Sequence, residues 1–575
     1  MSASLFRPFH SSLLASSFWR RARSFSSSAG RRNRSEPDRY VIEGRPLDAV
    51  RGVAIQDYIF ENLSKYEDRP LFTCGLTQRS YNGKMMNDMA RGFGAALLHH
   101  GVKKGDIVCV LLPNLPEYPI VMLGIWLAGG IVSPVSSSST PDELTRQCSI
   151  TQSKIIVTMP FFVNLVKSVL PTVPSLKSVI DVDPFEDTVA PDTHSFFEMT
   201  KSSAAGVEFF TSSKVDTNND IAILPFSSGT TGKPKAVMLT HTGLCSNALQ
   251  YLQPGIGLRE TPERYIGLLP FYHCFGFCAL ALMPMRTGSH VCTLPNFDPL
   301  SFVAAIKNHK PTVLNVVTPL VQFIVAFPEL GKKEFESVHT VVSGAAPVGP
   351  LLTQALLKKA DNDLFFQEGY GMTEATCFTH ISRERWKNTK LGSIGCVIPG
   401  TKCKVVDIDT GEALPQGKAG ELWIKGPQLM KGYYKNETAT RDTITPDGWL
   451  KTGDVAKYDE DLCFYIVDRI KELIKVKGLQ VSPSELEDLL RTHPDIADVA
   501  VVGVNHERFG EAPRAYVVKK NDSLTATKVH DFLDKKVAPH KKLAGGVEFI
   551  DAIPRAPSGK ILRRVLLANY LSGKH

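Results

Sequence analysis

Residues 227–235 read SSGTTGKPK, between an apolar run at Ile221–Phe226 and a helix-like stretch at Met238–Gln250. This pattern predicts a strand, a Gly/Ser/Thr loop and a helix. Such a loop offers backbone N–H groups and hydroxyls to phosphate oxygens, and its two lysines add positive charge. A Walker A loop needs two glycines five positions apart and then Lys-Ser/Thr, whereas Gly229 and Gly232 are three apart. The segment therefore predicts a nucleoside triphosphate site that is not an ordinary P-loop; the alternative is a plain Gly/Ser turn.

The pattern around this loop indicates the fold class. From about residue 55 to 400, strand-like apolar runs alternate with helical patterns, as at Ile107–Leu112 before a helix near 118–128. Such alternation predicts mainly parallel α/β sheets, whose ligands bind in loops at the carboxyl ends of strands. Short strands between about 401 and 467 predict a β-rich subdomain. We expect an α/β N-terminal domain over 41–467, a hinge at 468–472 (DRIKE) and a small α+β C-terminal domain over 473–575.

Composition excludes several functional classes. The 575 residues are 43% hydrophobic and 22% charged, which is ordinary for a globular protein. The net charge is +8, but residues 1–35 hold seven Arg and no Asp, Glu or Lys. The remainder is therefore nearly neutral, and no nucleic-acid surface is expected. The longest apolar run, Ile120–Val132, has 13 residues, fewer than the roughly 18–20 that span a bilayer. We expect a buried helix there and no transmembrane segment.

The N-terminal segment is rich in Arg and Ser, and its first acidic residue is Glu36. This composition is typical of a mitochondrial transit peptide, with a disordered tail as the alternative. We interpret residues 1–40 as a transit peptide and expect the mature chain in the mitochondrial matrix. The 11 cysteines include no CxxC pair, which favours a reduced compartment with free thiols. The last four residues, SGKH, do not match a peroxisomal Ser-Lys-Leu signal.

Two further loops carry groups suited to a nucleotide. Residues 368–376 read EGYGMTEAT, where Tyr370 could stack on a purine and Thr373 offers a hydroxyl. Glu374 supplies a carboxylate, a hard oxygen ligand suited to Mg²⁺. Residues 447–454 read DGWLKTGD, and the Asp454 carboxylate could accept hydrogen bonds from ribose hydroxyls. Read alone, the first segment could be an ordinary loop and Asp454 a turn-capping residue.

Two segments near the C-terminus are cationic. Residues 468–480 read DRIKELIKVKGLQ, with four cations between two domains, and could equally be a solvated basic face. Residues 554–564 read PRAPSGKILRR, in which Lys560 follows Ser-Gly in a Pro-containing loop. A lysine on such a loop is a compact charge that can neutralise phosphate oxygens, although most surface lysines have no specific role.

Together these segments resemble the adenylate-forming enzymes, which comprise acyl- and aryl-CoA synthetases, adenylation domains of peptide synthetases, and beetle luciferases. The resemblance covers about residues 50–570 and is closest to 4-coumarate–CoA ligases and luciferase-like acyl-CoA synthetases. Its motifs, in family order, are SSGTTGKPKAV, SGAAPVG (343–349), EGYGMTEAT, GELWIKG (420–426), GWLKTGD, DRIKELIKVKG and PSGKILR. It implies an AMP-forming acid–thiol ligase that uses ATP and Mg²⁺, with CoA as co-substrate and a small-molecule carboxylic acid as substrate.

The resemblance also implies site residues. Those that match ATP- or AMP-binding positions are Ser227, Ser228, Gly229, Thr230, Thr231, Lys235, Ala346, Gly369, Tyr370, Thr373, Asp454, Arg469, Lys471, Lys475 and Gln480. Glu374 matches the Mg²⁺ ligand, Lys477 and Gly478 match positions where CoA passes, and Lys560 matches the catalytic lysine of adenylation. In the family, the C-terminal domain is mobile and rotates between the two half-reactions, so that one site serves both.

The resemblance places the acyl pocket at residues 270–278, PFYHCFGFC. His273 matches a catalytic histidine at the inner end of the pocket, near the reacting carboxylate; the alternative is a core histidine. Coumarate ligases carry tyrosine two residues later, where this chain has Phe275. Loss of that hydroxyl favours a medium-chain fatty acid or an apolar aryl acid over a hydroxycinnamate. Two other departures from the family pattern are Ala236 for glycine and Glu368 for the commoner glutamine.

Other functional classes remain open on the sequence alone. A luciferase-like oxygenase would share every motif quoted, and a 4-coumarate-type aryl-CoA ligase differs only in the pocket. A carrier-loading adenylation module is less favoured, because no carrier domain follows Lys560. A non-catalytic nucleotide-binding protein is disfavoured by the presence of Lys560, Glu374 and Asp454.

Overall fold

The computed structural model describes residues 40–183, 190–227, 234–256, 262–477, 479–556 and 559–573. The predicted transit peptide, apart from residue 40, lies outside these ranges, as do Gly478 and most of the phosphate loop. Among the described residues, no helix is both long enough and apolar enough to span a membrane. All the cysteines are buried free thiols, so the sheets below are held together without disulfides.

The first of two nine-stranded sheets is formed mainly by the N-terminal half of the chain, with one strand, β21, from further along. It contains β4 (Ile107–Val110), β5 (Ile131–Pro134), β6 (Ile155–Thr158), β7 (Ser178–Asp181), β8 (His194–Ser195), β9 (Ile221–Ile223), β10 (Phe226–Ser227), β11 (Lys235–Thr240) and β21 (Gly432–Tyr433). Their order is β10-β11-β9-β5-β4-β6-β7-β8, with β21 paired to β11. The strands from β9 to β8 are parallel, whereas β11 pairs antiparallel with β9, β10 and β21.

The second nine-stranded sheet is also mainly parallel. It contains β2 (Pro70–Cys74), β3 (Ser80–Asn82), β12 (Arg264–Gly267), β13 (His290–Thr293), β14 (Val313–Val316), β15 (Thr340–Ser343), β16 (Phe365–Gly371), β17 (Phe378–Ile381) and β18 (Cys396–Val397). The order is β18-β17-β16-β15-β14-β12-β13-β2-β3. Among the described strands of this second sheet, only the pairs β2–β3, β16–β17 and β17–β18, toward its two edges, are antiparallel.

Helices of the N-terminal domain connect and cover these sheets. They are α1 (Ile55–Leu63), α2 (Gly83–His99), α3 (Tyr118–Leu127), α4 (Pro141–Thr151), α5 (Val163–Val169), α6 (Phe196–Thr200), α7 (His241–Tyr251), α8 (Cys274–Gly276), α9 (Met283–Thr287), α10 (Pro299–His309), α11 (Thr318–Ala326), α12 (Pro350–Ala360) and α13 (Glu437–Thr443). A π-helical segment, Phe277–Leu282, joins α8 to α9. Short 3₁₀ helices lie at Ser64–Tyr66, Pro160–Phe162, Leu170–Thr172, Thr373–Ala375 and Glu384–Trp386.

One hydrophobic core joins the two large sheets. It includes Val108 and Ile223 of the first sheet, Val313 of the second, and Leu244 of α7. Every residue of α3 is buried, which confirms the expectation of a buried helix within Ile120–Val132. The two sheets therefore share an interior, and loops from both can meet at one site.

The remaining chain forms two smaller sheets. An antiparallel sheet contains β1 (Ile42–Glu43), β19 (Lys402–Val406), β20 (Gly420–Lys425), β22 (Leu450–Tyr458) and β23 (Phe464–Arg469), in the order β1-β19-β20-β22-β23. The C-terminal sheet has the order β25-β24-β27-β26, with β28 paired to β27. Its elements are β24 (Ile474–Val476), β25 (Leu479–Val481), β26 (Ile496–His506), β27 (Gly510–Lys519), β28 (Val547–Phe549), α14 (Pro483–Arg491), α15 (Ala526–Asp534), α16 (Arg563–Leu571) and a 3₁₀ turn at Pro539–Lys541.

This architecture confirms the predicted fold class, an α/β protein with a β-rich subdomain and a small α+β C-terminal domain. The separate cluster of buried residues in the C-terminal part, which includes Val499 and Val517, gives that part its own core. The hinge at 468–472 stays a prediction; its first two residues complete β23.

One local prediction was wrong. The helix expected over Met238–Gln250 begins three residues later, because Met238–Thr240 continues β11 and pairs with β9 and β21. The Thr240 side chain then accepts a hydrogen bond from the Gly243 N–H and caps α7. The phosphate loop therefore connects two antiparallel strands, β10 and β11, and does not open directly onto a helix.

Candidate nucleotide and acyl site

The described ends of the phosphate loop converge on Glu374. Ser227 is paired with Lys235 across β10 and β11, and the Ser227 hydroxyl donates to Glu374 Oε1 at 2.7 Å. The Tyr433 hydroxyl donates to the same oxygen at 2.9 Å. The Lys235 ammonium lies 4.8 Å from the centre of the Tyr433 ring. Ser228, Gly229, Thr230 and Thr231 lie outside the described residues, so their predicted phosphate contacts stay predictions.

Glu374 fits a role as a Mg²⁺ ligand. It is buried, and its carboxylate is a hard oxygen donor beside the phosphate loop. The described residues contain no cluster of three or more His, Cys, Asp or Glu that could hold a metal. Mg²⁺ commonly binds one or two carboxylates together with substrate phosphates and water. Glu374 would therefore hold the ion jointly with the nucleotide.

Asp454 is the centre of a second polar group. One carboxylate oxygen accepts from the Tyr370 hydroxyl at 2.6 Å, and the other lies 3.0 Å from Arg469 Nε. Burial raises the pKa of the Asp454 carboxyl, and the positive charge of Arg469 is the largest opposing effect. Asp454 and Arg469 are also paired across β22 and β23, so the backbone ladder fixes the position of both side chains.

Lys560 reaches this group from the C-terminal domain. Burial lowers the pKa of Lys560 to about 8, and Arg469 adds to that effect. Glu472 and Asp454 oppose it with their negative charge. A Cβ on Gly559, which precedes the lysine, would lie 3.0 Å from Pro319. The loop that carries Lys560 is therefore packed against the N-terminal domain at the start of α11.

The loop over residues 344–349 lies beside the end of β16. The Ala346 carbonyl accepts from the Thr318 hydroxyl at 3.4 Å, and Gly369 and Tyr370 continue β16 opposite Ile381 and His380. The Glu368 carboxylate accepts from the Val348 N–H at 3.3 Å and from the Gly392 N–H at 3.2 Å. Glu368 thus ties this loop to the strand that carries Gly369 and Tyr370.

Glu368 predicts a pH dependence of stability. Burial raises the pKa of its carboxyl to about 7, and the Asp488 carboxylate of α14 adds a smaller effect in the same direction. Between pH ~4.5 and ~7 the folded state keeps this proton while the unfolded state has lost it. Relative to Glu368→Gln, the wild type should therefore lose on the order of 2 kcal/mol of unfolding free energy as pH rises through that window, and no more above it.

Urea unfolding of both proteins from pH 5 to 8 measures this difference. Glu460→Gln, a change at an exposed carboxylate, is the matched control and should give a constant difference from the wild type. A difference between wild type and Glu368→Gln that stays flat across the range would contradict the assignment.

The acyl side of the site meets the nucleotide side at Cys274. His273 precedes α8, with Nδ1 3.9 Å from Cys274 Sγ, and the Thr373 hydroxyl lies 3.8 Å from the same sulfur. His273, which is implied to face the carboxylate, and Thr373, which is implied to face the α-phosphate, therefore both contact Cys274. The implied binding positions of the carboxylate and the α-phosphate are thus adjacent.

Aromatic rings form a wall beyond His273. A Cβ on Gly344 would lie 3.3 Å from the Phe275 ring, so only glycine leaves room for that ring. Phe275 contacts Phe378 edge-on, with ring centres 5.8 Å apart. Cys278 and Cys377 are buried nearby. The side chains that surround Phe275 are mainly apolar, and its role in an acyl pocket stays a prediction.

The structure does not bring every predicted residue into the site. Lys471, Lys475, Lys477 and Gln480 are exposed; Lys475 and Gln480 are paired across the β24–β25 hairpin. Lys477 lies at the tip of that hairpin, with its ammonium 4.8 Å from the centre of the Phe509 ring. Gly478 lies outside the described residues. The nucleotide and CoA roles of these residues stay predictions for this chain.

Comparison with known proteins identifies the family. The model of the AMP-binding enzyme domain matches residues 59–434, and that of the AMP-binding enzyme C-terminal domain matches 485–560. The chain belongs to the AMP-binding enzyme family. Among its relatives, 4-coumarate–CoA ligase 1 of Arabidopsis thaliana is 37% identical over 533 residues, covering 91% of this chain and 93% of the relative. A probable 4-coumarate–CoA ligase 3 of Dictyostelium discoideum is 36% identical over 524 residues, covering 89% and 94%.

Solved structures of AMP-binding enzymes share the architecture. ATP-bound MatB from Rhodopseudomonas palustris superposes with a TM-score of 0.80 at 26% identity, covering 91% of this chain and 100% of that one. The anthranilate–CoA ligase AuaEII with anthranoyl-AMP gives a TM-score of 0.82 at 23% identity, covering 91% and 98%; this second likeness concerns the fold alone. The resemblance deduced from the motifs is confirmed.

Three residues of this AMP-binding enzyme's site escaped the sequence analysis. Tyr433 binds Glu374 through its hydroxyl, and Phe378 and Tyr251 extend the aromatic wall. Tyr433 lies seven residues beyond the quoted segment GELWIKG, in KGYYKN, which gave no local signal of chemistry. Its role depends on β21 pairing with β11, a long-range contact.

Proposed function

We propose that this AMP-binding enzyme is an ATP-dependent acid–CoA ligase that activates a carboxylic acid as acyl-AMP, releases pyrophosphate and then forms acyl-CoA. The observation that carries the proposal is the position of Lys560. The loop of the C-terminal domain that carries Lys560 packs against Pro319 of the N-terminal domain, and the charges of Arg469, Glu472 and Asp454 act on the lysine. A protein that only bound nucleotide would have no need of this delivered charge.

The first half-reaction joins two anions, because the acid carboxylate must attack the α-phosphorus of ATP. Positive charge and oriented donors offset that repulsion and the charge that builds on pyrophosphate. Lys235 supplies positive charge beside the phosphate loop, and Lys560 supplies it from the C-terminal domain. His273 and Thr373 flank the point where carboxylate and α-phosphate meet. Mg²⁺, held by Glu374 together with the nucleotide, would add Lewis-acid charge when bound.

The second half-reaction needs the CoA thiol to reach the acyl-adenylate carbonyl. In this structure the loop that carries Lys560 packs against Pro319 of the N-terminal domain, and Lys475, Lys477 and Gln480 of the β24–β25 hairpin are exposed. We propose that rotation of the C-terminal domain about residues 468–472 withdraws Lys560 and presents Lys477 and Gly478 to CoA. Asp468 supports this hinge, because its buried carboxylate accepts from the Ser482 hydroxyl at 2.6 Å.

We propose that the acid has an apolar body, as in a medium-chain fatty acid or an apolar aryl acid. Phe275, Phe378 and Cys278 are buried around the pocket, and none offers a hydroxyl at the position where coumarate ligases carry tyrosine. The relatives named above are coumarate ligases, so a 4-coumarate-type aryl-CoA ligase is the competing candidate. A panel of octanoate, benzoate and 4-coumarate, scored by acid-dependent pyrophosphate release and acyl-CoA formation, separates the two. A clear preference for coumarate would overturn the apolar assignment, and no acid-dependent release with any acid would overturn the ligase.

Restoring the missing hydroxyl should shift the specificity. Phe275→Tyr is expected to raise the ratio of kcat/KM for 4-coumarate over cinnamate by about 10-fold, the effect of one hydrogen bond of ~1.4 kcal/mol. The two acids differ only in the phenol, so any loss of folded protein cancels in the ratio. An unchanged ratio would show that the ring of Phe275 does not face the far end of these acids.

We also propose that the enzyme acts in the mitochondrial matrix. The Arg- and Ser-rich composition of residues 1–35 supports this assignment. Fluorescent fusions of the full chain and of a chain lacking residues 1–40 should differ, with only the first entering mitochondria. Identical distributions would contradict the assignment.

A further inference from the structure

Beyond Phe378, the aromatic wall ends on a buried hydroxyl. Tyr251 is the last residue of α7 and only 2% exposed. Its ring stacks on Phe378 with centres 4.3 Å apart and planes 3° from parallel. The Tyr251 hydroxyl has no hydrogen-bond partner in the described part of the chain. Burying an unpaired polar group costs ~1–3 kcal/mol, so such a group needs an explanation, of which a bound ligand or water is one.

A second unpaired group lies on the neighbouring sheet. Asn315, in β14, is 4% exposed, and neither its Nδ2 nor its Oδ1 has a partner among the described residues. The register pairs Asn315 with Val342, and Val342 with Gln367. Because paired residues of adjacent strands share a face, these three side chains lie on the same side of the sheet.

This face of the sheet looks toward the end of α7. Gln367 Nε2 donates to the carbonyl of Ile256, five residues after Tyr251, while Gln367 Oε1 is also unpaired among the described residues. Burial raises the pKa of the Tyr251 phenol, with smaller contributions from Tyr265 and Cys377. Gln367 thus ties the face of the sheet that carries Asn315 to the turn that follows Tyr251.

A row of ring contacts joins the predicted acyl pocket to Tyr251. Phe275 contacts Phe378, and Phe378 contacts Tyr251 on its other side. Asn247 holds the Phe378 backbone with two hydrogen bonds, accepting from its N–H at 3.1 Å and donating to its carbonyl at 2.9 Å. Tyr251 is thus the third ring of this wall, after Phe275 and Phe378.

We propose that the Tyr251 hydroxyl and the Asn315 amide bind a hydrogen-bonding group at the far end of the acid, of the kind found in an ω-hydroxy medium-chain acid. This inference rests on the proposed ligase function and names its substrate class more closely. The apolar rings would hold the chain, and the two polar side chains would hold its terminus. A site built to bond a substrate hydroxyl strongly disfavours the analogue that lacks it, because its own groups are then left unpaired.

The test compares acids in pairs. Octanoate, decanoate and dodecanoate are each assayed against their ω-hydroxy forms, and kcat/KM is measured from acid-dependent pyrophosphate release. The full-length wild type is expected to prefer at least one hydroxylated acid by about 10-fold or more. Tyr251→Phe keeps the stacked ring and should reduce that preference by about 10-fold. Asn315→Leu, of similar volume, should reduce it in the same direction.

Tyr118→Phe is the matched control. The Tyr118 hydroxyl in α3 is likewise buried and unpaired among the described residues, so this change removes the same atom elsewhere and should leave the preference unchanged. Because the Tyr251 hydroxyl has no partner among the residues that the structure describes, Tyr251→Phe should not lower the thermal unfolding midpoint. A wild type without preference for any hydroxylated acid, or a preference that survives both Tyr251→Phe and Asn315→Leu, overturns the inference while leaving the ligase intact. Absence of acid-dependent pyrophosphate release with every acid overturns both.

Discussion

Replacing Lys560 with alanine should slow acyl-adenylate formation by about 10²–10³-fold, the effect of losing one donor that acts mainly in the transition state. The charges of Arg469, Glu472 and Asp454 act on this lysine, and we propose that its own charge offsets the negative charge that develops as pyrophosphate leaves. ATP should still bind, because the loop 227–235, Glu374 and Asp454 remain.

Single-turnover release of pyrophosphate measures the step directly, and equilibrium binding of ATP is measured alongside it. Lys535→Ala removes an exposed lysine of the same domain and serves as the control, with no change in rate expected. A normal pyrophosphate burst from Lys560→Ala would refute the role.

The pH profile of the same step should reflect this lysine. Burial, with Arg469 nearby, lowers the pKa of Lys560 to about 8, so the ammonium is charged below that pH and is lost as pH rises through it. The kcat/KM for ATP in adenylation by the wild type, which reports groups of the free enzyme, should therefore decline above pH ~8, by a factor approaching 10 per pH unit. Lys560→Arg stays charged throughout, so its residual activity should lack this decline. A decline of the same midpoint in Lys560→Arg would assign the titration to another group.

The second large effect is expected at Glu374. Glu374→Gln removes one negative charge, while the amide oxygen can still accept from the Ser227 and Tyr433 hydroxyls. The fold should therefore survive and the affinity for Mg²⁺ should fall. We expect a loss in kcat of at least the ~100-fold that loss of an outer-shell partner can cause, together with a higher half-saturating Mg²⁺ concentration at fixed ATP.

Titration of Mg²⁺ at saturating ATP, in wild type and variant, gives both quantities. Glu384→Gln, at an exposed carboxylate, is the control and should match the wild type. If Glu374→Gln loses activity with an unchanged Mg²⁺ requirement, the residue orders Ser227 and Tyr433 and does not hold the ion.

The sequence predicted those parts of the fold and site that are carried by contiguous segments. SSGTTGKPK, EGYGMTEAT and PSGKILR each place several groups within one loop, so residues such as Glu374 and Lys560 could be named without coordinates. The alternation of apolar runs and helical patterns likewise predicted the mainly parallel sheets. The start of α7 was misplaced, because Met238–Thr240 can satisfy either period and long-range pairing with β9 and β21 decided for the strand.

Contacts between distant segments were beyond reach of the sequence. Ser227 and Glu374 are 147 residues apart, and only the folded chain shows that one hydroxyl orients the other residue's carboxylate. Glu368 was recognised as a departure from the family pattern, but its two backbone hydrogen bonds depend on the loop at 344–349 and the turn at Gly392. The stacking of Tyr251 on Phe378 is equally a tertiary feature, since α7 and β17 are brought together only by the shared core.

The neighbouring residues Asp468 and Arg469 look in opposite directions. Arg469 pairs with Asp454, which we propose to bind the ribose. Asp468 instead accepts hydrogen bonds from the Ser482 hydroxyl and the Ser484 N–H at the first turn of α14. These two consecutive residues therefore make contacts in both the N-terminal and the C-terminal domain. A rotation of the backbone at these two residues would change the Arg469–Asp454 contact and the orientation of the C-terminal domain together. Release of AMP and the return of the enzyme to its starting conformation would then be coupled.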